Sequence, residues 1–198
     1  MLIEHDGIRP VVHPTAYVAP TAVLSGDVRV GPGCRVLFGA VLTADGGAVR
    51  VGANGVVMEN AVLRGRSGHP LTLGENVLVG PHAHLNGATV DDDVFLATGV
   101  SVFPGARVES GAEVRINAVV HVNTRVPAGA TVPIGWIAVG DPAELFPAGA
   151  HDEYWPKLKA LDFPGTVFDV AREELTMGRV AAIYGEVFGR HTDDVVLE

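Results

Sequence analysis

One spacing constrains this 198-residue chain more than any other feature. From Val12 to Val132, Val or Leu returns about every six residues, at Val12, Val18, Leu24, Val30, Val36 and Leu42, then Val51, Val57 and Leu63, then Leu73, Val79 and Leu85. A final run follows at Val90, Leu96, Val102, Val108, Val114, Val120, Val126 and Val132. A helix face needs spacings of three and four, and a half-buried strand alternates by two over a short run. A period of six held over most of a chain is the mark of a hexapeptide solenoid, in which each unit is too small to bury its own apolar face and coils must stack.

Two further columns run with the first. Two residues before each Val or Leu stands a slim residue such as Ala22, Cys34, Ala40, Gly55, Ala61, Ala83, Ala106, Ala112 or Ala118, suited to the inside of a narrow prism. Three residues after it stands Gly, Asn or Asp in most units, including Asp27, Gly33, Gly39, Asp45, Asn54, Asn60, Asn76, Asp93, Gly99 and Asn117. These residue types tolerate positive φ, which predicts a tight corner. Three corners per turn give a triangular coil of about eighteen residues, and the units present amount to six or seven coils. The fold class is therefore an all-β solenoid with C-terminal α-helices. The expected organisation is a β-helix over 1–146, a helical appendage over 147–190 and a tail over 191–198.

Composition narrows the partners. A formal net charge of −9 argues against nucleic acid or an anionic membrane, and no apolar run approaches the length of a membrane span. The opening MLIEHDGIRP lacks the basic and apolar regions of a secretory signal, making the cytoplasm the expected location. The single Cys34 occupies a slim inward slot and reads as a packed thiol. Beyond Val132, Gly-Asp-Pro-Ala at 140–143 reads as an exit turn. A short helix is expected from about Asp152 to Leu161, ending before Pro164, and a longer one from Val170 to about Phe188. The residues from His191 onward carry no pattern and are expected to be disordered.

The repeat breaks locate the candidate site. Residues are inserted at ADGGA after Leu42 and at RGRSGHP after Leu63, and one is missing between Leu85 and Val90. Counting units in threes puts Leu24, Leu42, Leu63, Leu85, Val102 and Val120 on one face. The residues just after them, Ser25, Thr43, Arg64, Asn86, Phe103 and His121, then form an outward column with rungs about 4.8 Å apart. Both insertions sit beside this column, and His84 points outward on the strand of Asn86.

These stretches, with SGDVRVG, VGANGVVMENAVL, PLTLGENVLVG and the closing GDPA, resemble the γ-class carbonic anhydrases and their hexapeptide-repeat relatives over roughly residues 10 to 146. The resemblance implies a left-handed parallel β-helix, a homotrimer, and sites in the grooves between subunits, where three histidines from two subunits hold zinc or a similar ion. Carried over by residue, the three metal positions fall on Arg64, Pro81 and Asn86, the family's arginine on Thr43 and its glutamine on Met58; only Asp45 is retained. Arginine stays protonated, proline has no ligand atom, and an amide oxygen is a poor zinc ligand. Zinc-dependent hydration of CO₂ is not expected, and no cofactor is assigned, although zinc or another divalent ion stays open.

The candidate catalytic residues are His84, Arg64, Asn86 and Asp45, with Arg64, Glu59, His69, His82 and Met58 as candidate contacts for a small anionic ligand. Arg64 offers a guanidinium for bidentate anion binding, or a salt bridge filling the vacated metal hole. His82 and Asp45 also suit corners by residue type alone. An unusual metal set of His69, His82 and His84 across subunits is a further alternative. Three readings stand: a γ-carbonic-anhydrase-like homotrimer that binds or transforms a small anion by lyase or hydratase-type chemistry, an acyl-CoA-dependent acyltransferase, and a non-catalytic assembly subunit.

Overall fold

The computed structural model describes residues 1–197. The chain winds into a parallel β-solenoid with three flat faces. The first face stacks eight parallel strands, from Leu2–Glu4 through Val23–Ser25, Val41–Asp45, Val62–Arg66, His84–Asn86, Ser101–Val102 and Val119–Val120 to Trp136–Val139. The other two faces each stack seven. The six-residue register holds throughout: Leu24 pairs with Leu42, Leu42 with Leu63, Leu63 with Leu85, Leu85 with Val102 and Val102 with Val120. Eight rungs exceed the six or seven expected. The first rung places Leu2 beside Leu24, but the His5–Ile8 turn breaks the six-residue step to Val12, and the last rung puts Ala138 beside Val120, so both fall outside the unbroken Val/Leu series.

Packing explains the columns. The Val/Leu positions and the slim positions form one continuous core, with Leu24, Leu42, Leu63, Leu85, Cys34, Ala40, Ala61 and Ala118 fully buried. Cys34 donates its thiol to the Gly52 carbonyl at 2.9 Å, and burial pushes its pKa up, as a packed thiol requires. The corner slots take positive φ as expected, including Asn54, Asn60, Asn76, Asp93 and Asn117. His82, at φ 58°, is one of them. Asp27 and Asp45 are not: Gly26 and Gly46 make those turns, which releases both carboxylates for pairing.

At the two insertions the strands lengthen. Val41–Asp45 and Val62–Arg66 pair over five residues, where most rungs pair over two or three. The inserted loops join through a bridge from Gly46 to Arg66, and the second closes on itself through Arg66 and His69. This close stacking requires glycine at Gly65, where a Cβ would lie 2.2 Å from the Gly47 carbonyl oxygen.

After Trp136–Val139 the chain turns through Gly-Asp-Pro-Ala into an antiparallel strand, Glu144–Pro147, which covers that end of the first face. Three helices follow: α1 (His151–Ala160), α2 (Phe163–Phe168) and α3 (Met177–Gly189). The short helix expected from about Asp152 to Leu161 is α1, which ends before Pro164; a second short helix, α2, was not expected and carries Pro164 in its first turn, where proline's missing N–H costs nothing. The longer helix starts later than Val170, because the Thr176 hydroxyl caps it by accepting from Arg179 N. The expected disorder from His191 is overturned. Residues 190–193 form a 3₁₀ turn, and Val195–Leu197 pairs antiparallel with Leu2–Glu4, satisfying the otherwise open edge of the first rung.

Candidate functional site

The outward column forms as expected: Ser25 pairs with Thr43, Thr43 with Arg64 and Arg64 with Asn86 on successive rungs of the first face. What covers it is the chain's own C-terminal segment. Helix α3 lies over these rungs and borders a partly open cavity of about 60 Å³ lined by Asp45, Arg64, Arg66, Ser67 and Asn86 on the solenoid side and by Ile183, Tyr184, Val187 and Phe188 on the helix side. A water needs roughly 10–15 Å³ on this measure, so the space suits a few waters or one small oxyanion.

Asp45 is the buried centre of charge, its side chain 4% exposed. Its Oδ2 accepts from the Thr43 hydroxyl at 3.2 Å and stands 3.0 Å from Arg64 Nε. The second contact is one of charge alone, because the Arg64 N–H is not aimed at the oxygen. Arg64 also lies over the Phe188 ring, 5.2 Å from its centre. Arg66, two residues on, donates to the Val167 carbonyl. Burial holds its pKa below the ordinary arginine value; repulsion from Arg64 adds to this, and Tyr184 works against it.

The polar inventory does not close. Six buried side-chain atoms have no hydrogen-bond partner among the described residues: Ser25 Oγ, Asp45 Oδ1, Arg64 Nε, Arg66 Nε, Asn86 Oδ1 and His121 Nδ1. All six residues stand on the first face, and four of them line this one cavity. Buried polar atoms normally find partners, so these four leave the cavity with unmet hydrogen-bonding capacity that water or a ligand would have to satisfy.

The structure thus brings Arg64, Asn86 and Asp45 together. His84 is exposed on the neighbouring strand, outside the cavity lining. Even so, the protein packed around it, and then the Arg64 charge, hold its pKa below the ordinary histidine value. His69 belongs to the hairpin that pairs with Arg66; burial and then Arg66 lower its pKa. Met58 lines a separate apolar groove of about 450 Å³ with Pro81, Phe95, Ile116 and Ile134. Glu59 and His82 meet at a corner, His82 N donating to the Glu59 carbonyl at 3.0 Å. Within one chain His69, His82 and His84 form no ligand cluster among the described residues.

Sequence reasoning missed Arg66, Ser67, Tyr184, His191, Asp194 and His5. Arg66 and Ser67 sit in an insertion outside the hexad, and Tyr184 depends on where α3 docks. His191 reaches Asp45 Oδ1 at 3.2 Å and Asp194 at 2.9 Å, and Asp194 in turn holds His5 at 2.6 Å. The clue to this last group was the β-branched Val-Val-Leu at the C-terminus, able to add a strand beside the N-terminal one.

A triangular solenoid with an occupied polar column on one face defines a hexapeptide-repeat protein. The comparisons narrow the class. No family profile matches the chain. Among curated proteins it is 37% identical to γ carbonic anhydrase 1 (mitochondrial) of Arabidopsis thaliana over 102 residues, 48% of this chain and 37% of that one. It is 36% identical to the carnitine operon protein CaiE of Escherichia coli K12 over 101 residues, 51% of this chain and 52% of that one. The chain thus spans between a third and about half of the length of these relatives. Of solved structures, a hexapeptide transferase family protein from Anaplasma phagocytophilum matches at TM-score 0.58 and 22% identity, over 93% of this chain and 97% of that one. A putative acetyltransferase from Bacillus cereus matches at TM-score 0.54 and 19% identity, over 96% of each. At such identities the structures show the fold alone. Over about half of its length the chain is thus similar to γ-class carbonic anhydrases and CaiE, on a hexapeptide-repeat fold.

Proposed function

We propose that this protein binds a small oxyanion in the cavity under α3 and works as a homotrimer. The observation that carries the reading is the pair of guanidiniums, Arg64 and Arg66, facing one cavity with a single carboxylate, Asp45, between them and the core. Two like charges so placed repel, and both Nε atoms lack partners; an anion relieves both conditions at once. Asn86 Oδ1 is an unmet acceptor in the same space, which favours an anion that also carries a hydroxyl, such as bicarbonate or a short hydroxy acid. Any turnover would be of lyase or hydratase type, with Asp45 as the carboxylate in reach and Arg64 stabilising developing negative charge.

The trimer rests on likeness to γ-class relatives and on a second feature. The apolar groove at Met58, Pro81 and Phe95, with Ile134 65% and Ile116 43% exposed, lies on another face at positions where the family resemblance brings a neighbouring subunit.

A thermal-shift panel of bicarbonate, acetate, lactate, nitrate and acetyl-CoA tests the reading. Small oxyanions are expected to raise the melting temperature in a concentration-dependent way, and the rise is expected to vanish in Arg64→Gln and Arg66→Gln. Stabilisation by acetyl-CoA alone would move the protein to acyl transfer, and no shift with any anion would leave the cavity structural.

A further inference from the structure

Where the two ends of the chain meet, the register of the closing strand brings together three ligand-type side chains. Leu2, Ile3 and Glu4 pair with Leu197, Val196 and Val195, so one step on His5 stands opposite Asp194. The 3₁₀ turn over 190–193 then folds His191 back onto His5, their rings stacked at 4.3 Å. His5 Nδ1 lies 2.6 Å from one oxygen of Asp194 and His191 Nδ1 lies 2.9 Å from the other. His5, from one terminus, is only 4% exposed. One ligand atom from each of the three lies within 4.8 Å of the other two.

The outer contacts decide what this cluster is for. His191 Nε2 faces Asp45 Oδ1 at 3.2 Å, the buried carboxylate oxygen that has no hydrogen-bond partner. His5 Nε2 faces Asp6 Oδ2 at 3.6 Å. Both imidazoles turn their near nitrogen toward Asp194; His191 has a carboxylate 3.2 Å from its far nitrogen, while Asp6 stands beyond hydrogen-bond distance from that of His5. A carboxylate behind His191 is suited to orient it as a metal ligand. Without an ion, a proton on each Nδ1 joins the rings to the two oxygens of Asp194; with one, both Nδ1 atoms and one Asp194 oxygen become ligands and those protons leave to solvent. Asp194 must turn slightly, because ligands of a tetrahedral zinc site stand about 3.3 Å apart.

We propose that His5, His191 and Asp194 form a divalent transition-metal site that fastens the C-terminal strand to the first rung. Two imidazoles and one carboxylate select zinc or a similar borderline ion over magnesium or calcium, which favour all-oxygen sets. The site is assembled within one chain, from residues distinct from Arg64, Pro81 and Asn86. It stands whether or not the neighbouring cavity binds an anion.

The test uses tag-free full-length protein stripped with a chelator and titrated with Co²⁺, then with Zn²⁺. One Co²⁺ per chain with visible absorption bands, displaced by Zn²⁺ with release of protons, is the expected result. His5→Gln and His191→Gln should each weaken binding by more than the roughly 10–100-fold that loss of an outer partner costs. If His5→Gln fails to fold, the less buried His191→Gln decides. Absence of stoichiometric Co²⁺ and Zn²⁺ binding in the wild type would overturn the site, as would unchanged affinity in His191→Gln, leaving a hydrogen-bonded clasp only.

Discussion

Asp45 shows how much one corner decides. Because Gly46 takes the positive φ of the turn, Asp45 remains in strand geometry and delivers a carboxylate to Thr43, Arg64 and His191. Its residue type alone left corner and site equally open. His121, lower in the same column, shows the reverse case of a polar group without a partner. It packs between Phe103 and Phe163 with ring centres 5.9 and 5.6 Å away, and its Nδ1 has no partner. Burial lowers its pKa from the ordinary 6.5. The folded form therefore resists a proton that the unfolded chain accepts. The associated stability is intact above about pH 6.5 and falls as pH drops below it toward the lowered value. His69 and His84 act with the same sign, each through burial first and then a neighbouring arginine. In thermal melts from pH 7.5 to 5.0, His121→Phe should flatten this acid loss relative to wild type; an unchanged slope would show that His121 plays no part in it.

Among the elements, the extended strand Val62–Arg66 carries the site. Its hexad residue Leu63 is fully buried, its outward residues are Arg64 and Arg66, and Gly65 between them meets the backbone of Gly47 and Ala48. Gly65→Ala drives a Cβ into two carbonyl oxygens, at 2.2 and 2.4 Å, that cannot rotate away. It should destabilise by about 1–3 kcal/mol in denaturant melts, as overpacking does, and abolish anion stabilisation by separating the two guanidiniums. Wild-type stability and ligand response in that variant would show that the stacked insertions do not position the arginines. The solenoid, its register and the Thr43–Arg64–Asn86 column were legible in the sequence because a parallel coil repeats its contacts: one period fixes every rung. Helix α3 and the closing strand were not, since neither continues the repeat: the strand docks by backbone pairing with Val195 and Val196 left exposed, and α3 meets the column through half-buried side chains. The side of α3 that turns toward the column carries Ile183, Tyr184, Val187 and Phe188.

At the scale of the molecule, the ends of the chain meet at one end of the prism while its polar column is roofed by its own helix. The apolar groove at Pro81 lies on another face, away from that column. Light scattering should return three times the 20.6 kDa chain mass, and Ile134→Asp, placing a charge in that groove, should shift it toward the monomer; a wild-type monomer would remove the trimer from this account. Among the described residues no helix is long and apolar enough to cross a membrane. The central claim is that Arg64 and Arg66 hold a small oxyanion together. Isothermal titration of bicarbonate into the wild type, Arg64→Gln and Arg66→Gln tests it most directly. The predicted result is saturable binding of one anion per chain, weakened about tenfold or more in each variant, as loss of a charged hydrogen bond requires. Binding of equal strength in all three proteins would contradict it.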